Sequence, residues 1–247
     1  APEVSVSRLQ VAENKTVLVT EDNTGLSDCI VQELTNLGIK TEKINLDGRT
    51  YKYPLSQTAG LIIVQDPASD TMEQDLKDAF LLTKQLAPNL LEAANAGAAV
   101  FATVSRMDGA FGFRRKEMIH PVQGGLAGLS KTAAIEWNNV CCHAIDIDAV
   151  CSDHHQIAST VVNEILTPGP VEIGLGLESR CTIALESKPY PAGPINLDSD
   201  DVVIISGGAR GITATVALSL ARHTGSCLVL LGRSPHPMSE PLWLSSL

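Results

Sequence analysis

A short glycine-rich segment holds the residues of this sequence best suited to binding a ligand. It reads Ser206-Gly207-Gly208-Ala209-Arg210-Gly211-Ile212-Thr213 and follows an apolar run at 202–205. Glycines at such positions let the backbone turn tightly and approach a pyrophosphate, which the N–H groups of the next helix then bind. The segment from Ser206 to Ile212 therefore predicts the pyrophosphate loop of a dinucleotide site.

A basic residue follows the next predicted strand. The strand ends at Leu231, and Gly232, Arg233 and Ser234 come directly after it. An acidic residue about 20 positions beyond the loop holds the ribose 2′-hydroxyl of NAD, whereas a basic residue accommodates the 2′-phosphate of NADP. Arg233 stands at this distance from Gly211. These three residues complete the predicted site, and NADPH is the predicted cofactor.

A second segment repeats the first at a constant offset. It runs from Thr20 to Ser27, which correspond to Ser206 and Thr213, and Gly25 corresponds to Gly211. The other two loop glycines are missing, and Glu21 and Asp22 stand where phosphate would lie. Since carboxylates repel a pyrophosphate, we expect this copy to be structural. Asp47 follows Gly25 at the same distance as Arg233 follows Gly211 and offers an NAD-type acid, but a solvated loop aspartate is the preferred interpretation.

Cysteines and histidines cluster in the middle of the sequence, at Cys141, Cys142, His143, Cys151, His154 and His155. Their spacing fits no standard zinc finger, and neighbours on a strand point to opposite faces, so we predict no metal site. The basic trio Arg114-Arg115-Lys116 offers a contact for an acidic partner, although a solvated loop is preferred. Trp137 is predicted to pack in the core or on a helix surface rather than to form a platform for a ligand.

Alternating strands and helices predict a doubly wound α/β fold with a parallel sheet. We assign residues 1–187 to a Rossmann-like unit, 188–200 to a proline-containing linker, and 201–247 to a truncated second Rossmann unit. Within the first unit we expect a helix break or kink at Pro88, a helix N-cap at Ser152 and a last strand over 171–185.

The composition excludes several classes of function. The net charge of −10 argues against a nucleic-acid surface. The sequence has no apolar run long enough for a membrane span and no signal peptide, so no membrane partner is expected. Six cysteines without a C-x-x-C pair are typical of reduced thiols, which favours the cytoplasm. The absence of an initial Met suggests a piece of a longer chain.

These motifs together resemble those of a known family. The segment from Pro121 to Trp137, which contains Gln-Gly-Gly-Leu-Ala-Gly-Leu, and the later Asp146-Ile-Asp148 resemble the structural subdomain of polyketide synthase ketoreductases, of the short-chain dehydrogenase/reductase superfamily. The Gln-Gly-Gly-Leu-Ala-Gly-Leu motif is particularly similar to the corresponding sequence in the ketoreductase of polyunsaturated fatty acid synthases, which make omega-3 acids. That subdomain is a cofactor-free copy of the fold, placed just before the catalytic copy.

The resemblance implies an activity that this chain alone lacks. The family reduces a 3-oxoacyl thioester on an acyl carrier protein with NADPH, using a Tyr-x-x-x-Lys pair. Here Tyr51, Tyr53 and Tyr190 are not followed by Lys at that spacing, and the resemblance places the pair beyond residue 247. Ser105 stands where a reductase has its catalytic serine, but we assign it a cap or turn role. Thr213 replaces the usual last loop glycine, which affects packing more than binding.

We therefore predict no catalytic residue in the chain and no activity of the chain alone. Its partners are predicted to be the rest of a synthase polypeptide and acyl carrier protein domains. Two alternatives remain. One is a non-enzymatic scaffold that binds no cofactor, and the other is a free-standing NAD dehydrogenase that uses Gly25 and Asp47.

Overall fold

A computed structural model describes residues 8–46, 55–114, 120–189, 193, 195–208 and 210–233. The chain divides into two compact units, Ala1–Leu185 and Glu186–Leu247. Each unit is built around parallel strands.

The first unit contains a seven-stranded sheet in which the first six strands are parallel. Its strands are β1 (Thr16–Thr20), β2 (Thr41–Ile44), β3 (Thr58–Val64), β4 (Ala99–Ser105), β5 (Val140–Ile147), β6 (Glu172–Leu175) and β7 (Arg180–Cys181). The strand order is β2-β1-β3-β4-β5-β6-β7, and only β7 pairs antiparallel. The order reverses between β1 and β3, which is the switch point of a doubly wound sheet. The predicted fold class is confirmed.

Two layers of helices cover the sheet, one on each face. Helices α1 (Leu26–Asn36) and α4 (His154–Ile165) pack on one face, and α2 (Met72–Ala96) and α3 (Gly124–Glu136) pack on the other. All residues of β1, β3 and β4 are buried, because a parallel sheet covered on both faces exposes neither. Successive β1 residues alternate between the two cores, with Val17 and Val19 on the α1 side and Leu18 on the α2 side.

Helix α1 ends at a glycine in the left-handed backbone conformation. Gly38 has a φ of 78° and donates to Thr35 O, while Ile39 N–H donates to Leu34 O at 3.0 Å. These two bonds form a Schellman motif, which requires a left-handed residue at the glycine position. Ile39 then packs against the core on the α1 face of the sheet.

Of the predicted break or kink at Pro88, the break is wrong, because helix α2 continues through this residue. The helix is continuous from Met72 to Ala96. Proline removes the hydrogen bond to the carbonyl of Lys84, but both residues are exposed, so the loss falls on the solvent side of the helix. The opposite side of the helix buries Leu86 and Leu90 on the sheet, and this packing holds the helix on both sides of the proline.

Two further predictions for the first unit are wrong. The N-cap of α4 is Asp153 rather than Ser152, and its Oδ1 accepts the N–H groups of His155 and Gln156 at 3.0 and 3.1 Å. The last strand predicted over 171–185 is instead the hairpin of β6 and β7. Gly176 N–H donates to Ser179 O at 2.8 Å and closes the turn, which leaves Leu177 exposed at the tip.

The second unit contains β8 (Val202–Ser206), α5 (Gly211–Thr224) and β9 (Cys227–Leu231), with the two strands parallel. The internal repeat found in the sequence also appears in the secondary structure. Strand β8 begins and ends at the positions that correspond to the first and last residues of β1. Gly25 and Gly211 both have positive φ, at 86° and 56°. The strand register differs by one position, since Val17 pairs with Thr41 whereas Val203 pairs with Leu228.

Candidate functional site

The predicted pyrophosphate loop joins β8 to α5 in the second unit. Gly207 N–H donates to Leu231 O at 2.7 Å, which ties the start of the loop to the end of β9. Gly207 and Gly211 both have positive φ, and a Cβ atom on either would meet no atom of the described residues within 4 Å. The loop therefore turns in a conformation that favours glycine, with open space beside both residues.

Gly208 serves a different purpose in the same loop. It is buried, and a Cβ atom there would lie 2.6 Å from Leu230 Cδ2 and 3.0 Å from Ile205 Cγ2. A side chain at this position would push the loop away from the strands. Gly208 therefore allows the loop to lie directly on β8 and β9.

The first turn of α5 retains N–H groups that can bind an anion. Its N-cap, Arg210, makes no side-chain capping bond, and no described side chain accepts from Gly211 or Ile212 N–H. The N-terminus of a helix carries a partial positive charge, which favours a phosphate oxygen there. The loop and helix start fit a pyrophosphate in geometry and charge.

The predicted contact to the 2′-phosphate lies at the same edge. Ser206 pairs with Leu231 across the parallel strands, so the residues after both strands emerge side by side. Gly232 and Arg233 follow directly, and the Arg233 side chain is exposed. Ala209 and Ser234 of the predicted site lie outside the described residues, as do Asp47, Arg115, Lys116, Tyr51, Tyr53 and Tyr190. Thr213 is exposed on α5.

The equivalent loop of the first unit is filled by its own carboxylate. Asp22, which corresponds to Gly208, accepts the N–H of Ser27 at 2.8 Å and that of Thr24 at 3.1 Å. It also accepts the Thr24 hydroxyl, and its own N–H donates to Ser27 Oγ at 3.3 Å. Two of the backbone donors at the start of α1, Thr24 N–H and Ser27 N–H, are thus already bonded to Asp22.

Asp22 is held in its charged form by these bonds. Burial raises the pKa of the Asp22 carboxyl, but the hydrogen bonds from Ser27 and Thr24 outweigh burial and lower the pKa below its usual value. A fixed negative charge at this position repels a second anion. The sequence located Asp22 correctly in the loop, but it gave no sign that Ser27 N–H and Thr24 N–H would bond to it.

Sequence reasoning used Asp146 only as part of the family resemblance and missed its role as a buried carboxylate at the carboxyl ends of β4 and β5. Asp146 Oδ1 accepts Met107 N–H at 2.8 Å and the Ser105 hydroxyl at 3.2 Å. Its Oδ2 accepts the N–H groups of Ala110 and Phe111 at 3.0 and 2.8 Å. Burial raises the pKa of Asp146 above its usual value, although these four bonds oppose the rise.

This arrangement assigns a structural task to Ser105. Its hydroxyl is buried and directed to Asp146 and to Ile145 O, so it helps to hold the loop that follows β4. The same loop wraps around a second buried carboxylate, Asp108, which accepts the N–H groups of Ala110, Gly112 and Arg114. An aspartate followed closely by glycines is typical of such side-chain-bonded turns, and this signal was available in the sequence.

The remaining candidates of the first unit are engaged in packing. Arg114 forms an ion pair with Asp148 at 3.2 Å and donates to Ser179, so it is not a freely solvated residue. Cys141 and Cys142 face opposite cores, as predicted, and among the described residues no group of ligating side chains could hold a metal ion. Trp137 is buried against Phe101, with ring centroids 5.5 Å apart, which confirms its predicted core position.

Solved structures with the same fold are ketoreductases of modular synthases. A C2-type ketoreductase from a modular polyketide synthase superposes with a TM-score of 0.56 and 16% identity, over 91% of this chain and 52% of that one. A keto acid-selecting NRPS module containing a ketoreductase superposes with a TM-score of 0.59 and 18% identity, over 97% of this chain and 22% of that one. The fold is therefore that of synthase ketoreductases.

Sequence relatives point to the same kind of protein. A polyunsaturated fatty acid synthase of Thraustochytrium sp. is 25% identical over 280 aligned positions, covering 97% of this chain. Polyketide synthase ThaG of Burkholderia thailandensis is 36% identical over 121 positions, covering 47% of this chain. This chain spans only 10% and 2% of those two proteins. No protein-family model matches it. The resemblance to polyketide and polyunsaturated fatty acid synthases is confirmed.

None of the helices in the described parts of the chain combines the length and the apolar character that crossing a membrane requires.

Proposed function

We propose that the chain belongs to an NADPH-dependent ketoreductase of a polyunsaturated fatty acid or polyketide synthase. The reaction is reduction of a 3-oxoacyl thioester, carried by an acyl carrier protein, to the 3-hydroxyacyl form. One observation carries this proposal: the loop of the second unit has a glycine without a side chain at position 208, whereas the equivalent residue of the first unit, Asp22, places a carboxylate in the loop that accepts Thr24 and Ser27 N–H.

In this proposal the second unit holds the cofactor. The backbone from Ser206 to Ile212 binds the pyrophosphate, and Arg233, flanked by Gly232 and Ser234, meets the 2′-phosphate. The bound cofactor supplies the hydride for reduction of the carbonyl. The positive charge of Arg233 is exposed beside the loop, and this placement supports NADPH over NADH.

The first unit then acts as a scaffold. Its loop after β1 is occupied by Asp22, and the loop after β4 is bonded to Asp146 and Asp108. Each of these loops stands at the carboxyl edge of the sheet, where ligands of doubly wound folds bind. The carboxylates in these loops bond to backbone N–H groups within the unit and repel a further anion, so they stabilise the unit and disfavour a dinucleotide.

The rest of the catalytic apparatus comes from outside this chain. No Tyr-x-x-x-Lys pair occurs in the sequence, so the proton donor is supplied by a further part of the same polypeptide. The proposed partners are that remainder and the acyl carrier protein domains of a cytoplasmic synthase. The length of the relatives supports such an arrangement.

The experiment is an assay of NADPH oxidation with a 3-oxoacyl thioester. It compares residues 1–247 with a longer protein that continues through the rest of the second unit. We expect activity only in the longer protein. Activity in residues 1–247 alone would overturn the division of roles between the two units. Absence of both activity and NADPH binding in a folded longer protein would support the alternative of a scaffold without cofactor.

A further inference from the structure

Two side chains of β5 form a thiol–imidazole pair that the proposed function does not use. Cys141 and His143 are two positions apart on the strand, so their side chains lie on the same face of the sheet, the face that α4 covers. The Cys141 Sγ and His143 Nε2 atoms are 3.2 Å apart. Cys142, which lies between them in the sequence, faces the other core. The alternation of side chains along one strand thus brings a nucleophilic atom and a base into contact.

The contacts of the imidazole show which of its nitrogens carries the hydrogen. His143 Nδ1 lies 3.2 Å from the carbonyl oxygen of Pro170. Because a carbonyl oxygen only accepts, Nδ1 carries a hydrogen and donates it to Pro170 O. Burial lowers the pKa of His143 below its usual value, so the ring is neutral at neutral pH and Nε2 has no hydrogen. Nε2 therefore accepts the S–H of Cys141.

The surroundings of His143 hold the base in one orientation. Its side chain is almost completely buried, and both ring nitrogens are bonded. The charged groups that act on it are Glu164 on α4 and Arg180 on β7, with opposite signs. Arg180 donates to Glu164 from Nε at 2.5 Å and from Nη2 at 2.9 Å, so these two charges compensate each other. A base whose second nitrogen is oriented by a fixed acceptor is the arrangement that activates nucleophiles in enzymes.

This pair distinguishes Cys141 from the other thiols of the first unit that are partly exposed. Those thiols are Cys29 and Cys181, and in the described part of the chain neither has a bond to a histidine. Burial raises the pKa of the Cys141 thiol, so very little free thiolate exists at neutral pH. Reaction of Cys141 under these conditions therefore requires a base that takes the proton, and His143 Nε2 is in place to do so.

We propose that Cys141 is a thiol-modification site at which His143 acts as the general base and a small disulfide is the co-reactant. The Cys141 sulfur attacks one sulfur of the disulfide while its proton passes to His143 Nε2. The S–S bond of the small molecule breaks, a new S–S bond joins Cys141 to one half of it, and the leaving thiolate takes the proton from Nε2. The proposal does not depend on the ketoreductase function, because neither residue belongs to a glycine loop.

The test uses residues 1–247 with Cys227→Ser, which removes the exposed thiol of the second unit. The probe is hydroxyethyl disulfide, which is uncharged, and peptide mass spectrometry follows the mixed disulfide at each cysteine. We expect Cys141 to react faster than Cys29. We also expect its rate to stay nearly constant from about pH 7 to about pH 8, whereas a thiol that reacts only as free thiolate accelerates about tenfold over this range. A tenfold acceleration at Cys141, or no reaction there, would overturn the proposal.

The variant His143→Gln isolates the base. Glutamine retains an N–H donor for Pro170 O but has no atom that can take the thiol proton. The matched control is His155→Gln, which replaces an exposed histidine of α4. We expect at least about tenfold slower modification of Cys141 in His143→Gln and an unchanged rate in His155→Gln. Equal rates with and without the His143 imidazole would overturn the proposal, and the pH profile decides the matter by itself if His143→Gln does not fold.

Discussion

The Asp22 carboxylate accepts the backbone N–H of Ser27 at 2.8 Å, and the Asp22 N–H donates to Ser27 Oγ at 3.3 Å. This reciprocal contact fixes the start of α1 in the first unit. In the second unit the equivalent residues are Gly208 and Thr213, and Gly208 has no side chain with which to fill the loop. One pair of positions thus distinguishes a loop that is closed by the protein from a loop that is open to a ligand.

Removal of the Asp22 side chain is expected to destabilise the first unit. Asp22→Ala deletes the acceptor for Thr24 N–H and Ser27 N–H, and loss of such a cap costs about 1–2 kcal/mol. Urea unfolding at pH 7, monitored by circular dichroism, measures the change. Glu21→Ala is the control, because Glu21 is exposed and its side chain has no described hydrogen bond. Equal losses in both variants would contradict the assigned role.

The contribution of Asp22 is expected to depend on pH. Its pKa in the folded protein is lower than the ordinary value of 3.8, so folding favours the charged form. The stabilisation is therefore complete above pH 3.8 and is lost as the pH falls through the lower folded pKa. The difference in unfolding free energy between the wild type and Asp22→Ala should shrink between about pH 5 and about pH 2. A difference independent of pH would contradict this.

Replacement of Asp146 by the isosteric residue asparagine is expected to lower the stability of the first unit. In Asp146→Asn one of the two carboxylate oxygens becomes an NH₂ group, which cannot accept a hydrogen bond. If it replaces Oδ2, the N–H groups of Ala110 and Phe111 lose their acceptor, and if it replaces Oδ1, the N–H group of Met107 loses its acceptor. An unsatisfied buried polar group costs about 1–3 kcal/mol. Thermal unfolding measures the loss, and Asp70→Asn at an exposed position serves as the control. Unchanged stability of Asp146→Asn would show that the loop does not depend on the charge.

Prediction from sequence succeeded where one local pattern determined the structure. The prediction that Cys141 and Cys142 face opposite sides of the sheet needed only the alternation of side chains along a strand. It failed where a distant partner decided the outcome. Pro88 stays within α2 because Leu86 and Leu90 pack on the sheet. Asp146 can accept hydrogen bonds from the loop after β4 only because β4 lies beside β5. Ser152 and Asp153 are both good caps, and the local sequence did not distinguish them.

The cysteines are expected to differ strongly in reactivity. Burial raises the pKa of the Cys142 thiol to about 12, so almost no thiolate exists at pH 8. Burial also raises the pKa of Cys141, whereas Cys227 is exposed at the start of β9. Titration of the native protein with Ellman's reagent should show a fast phase that disappears in Cys227→Ser. A fast phase that persists in this variant but is lost in Cys142→Ser would contradict the prediction.

Arg233 is expected to determine the preference between the two nicotinamide cofactors. In a protein that continues through the rest of the second unit, Arg233→Ala removes the charge proposed to meet the 2′-phosphate. We expect about tenfold weaker NADPH binding with little change for NADH, since a charge-assisted contact contributes about 1.5–3 kcal/mol. Arg222→Ala, in the last turn of α5, is the control. Equal effects on NADPH and NADH would remove Arg233 from the 2′-phosphate site.

The central claim is that the loop of the second unit binds the cofactor and that the loop of the first unit does not. The two glycines at equivalent positions test it directly, because Gly25 and Gly211 both have positive φ and a Cβ atom on either would meet none of the described atoms within 4 Å. The measurement is the NADPH dissociation constant of Gly25→Ala and Gly211→Ala in the longer protein, by fluorescence titration. We predict at least about tenfold weaker binding for Gly211→Ala and unchanged binding for Gly25→Ala. Loss of binding in Gly25→Ala with full binding in Gly211→Ala would contradict the claim.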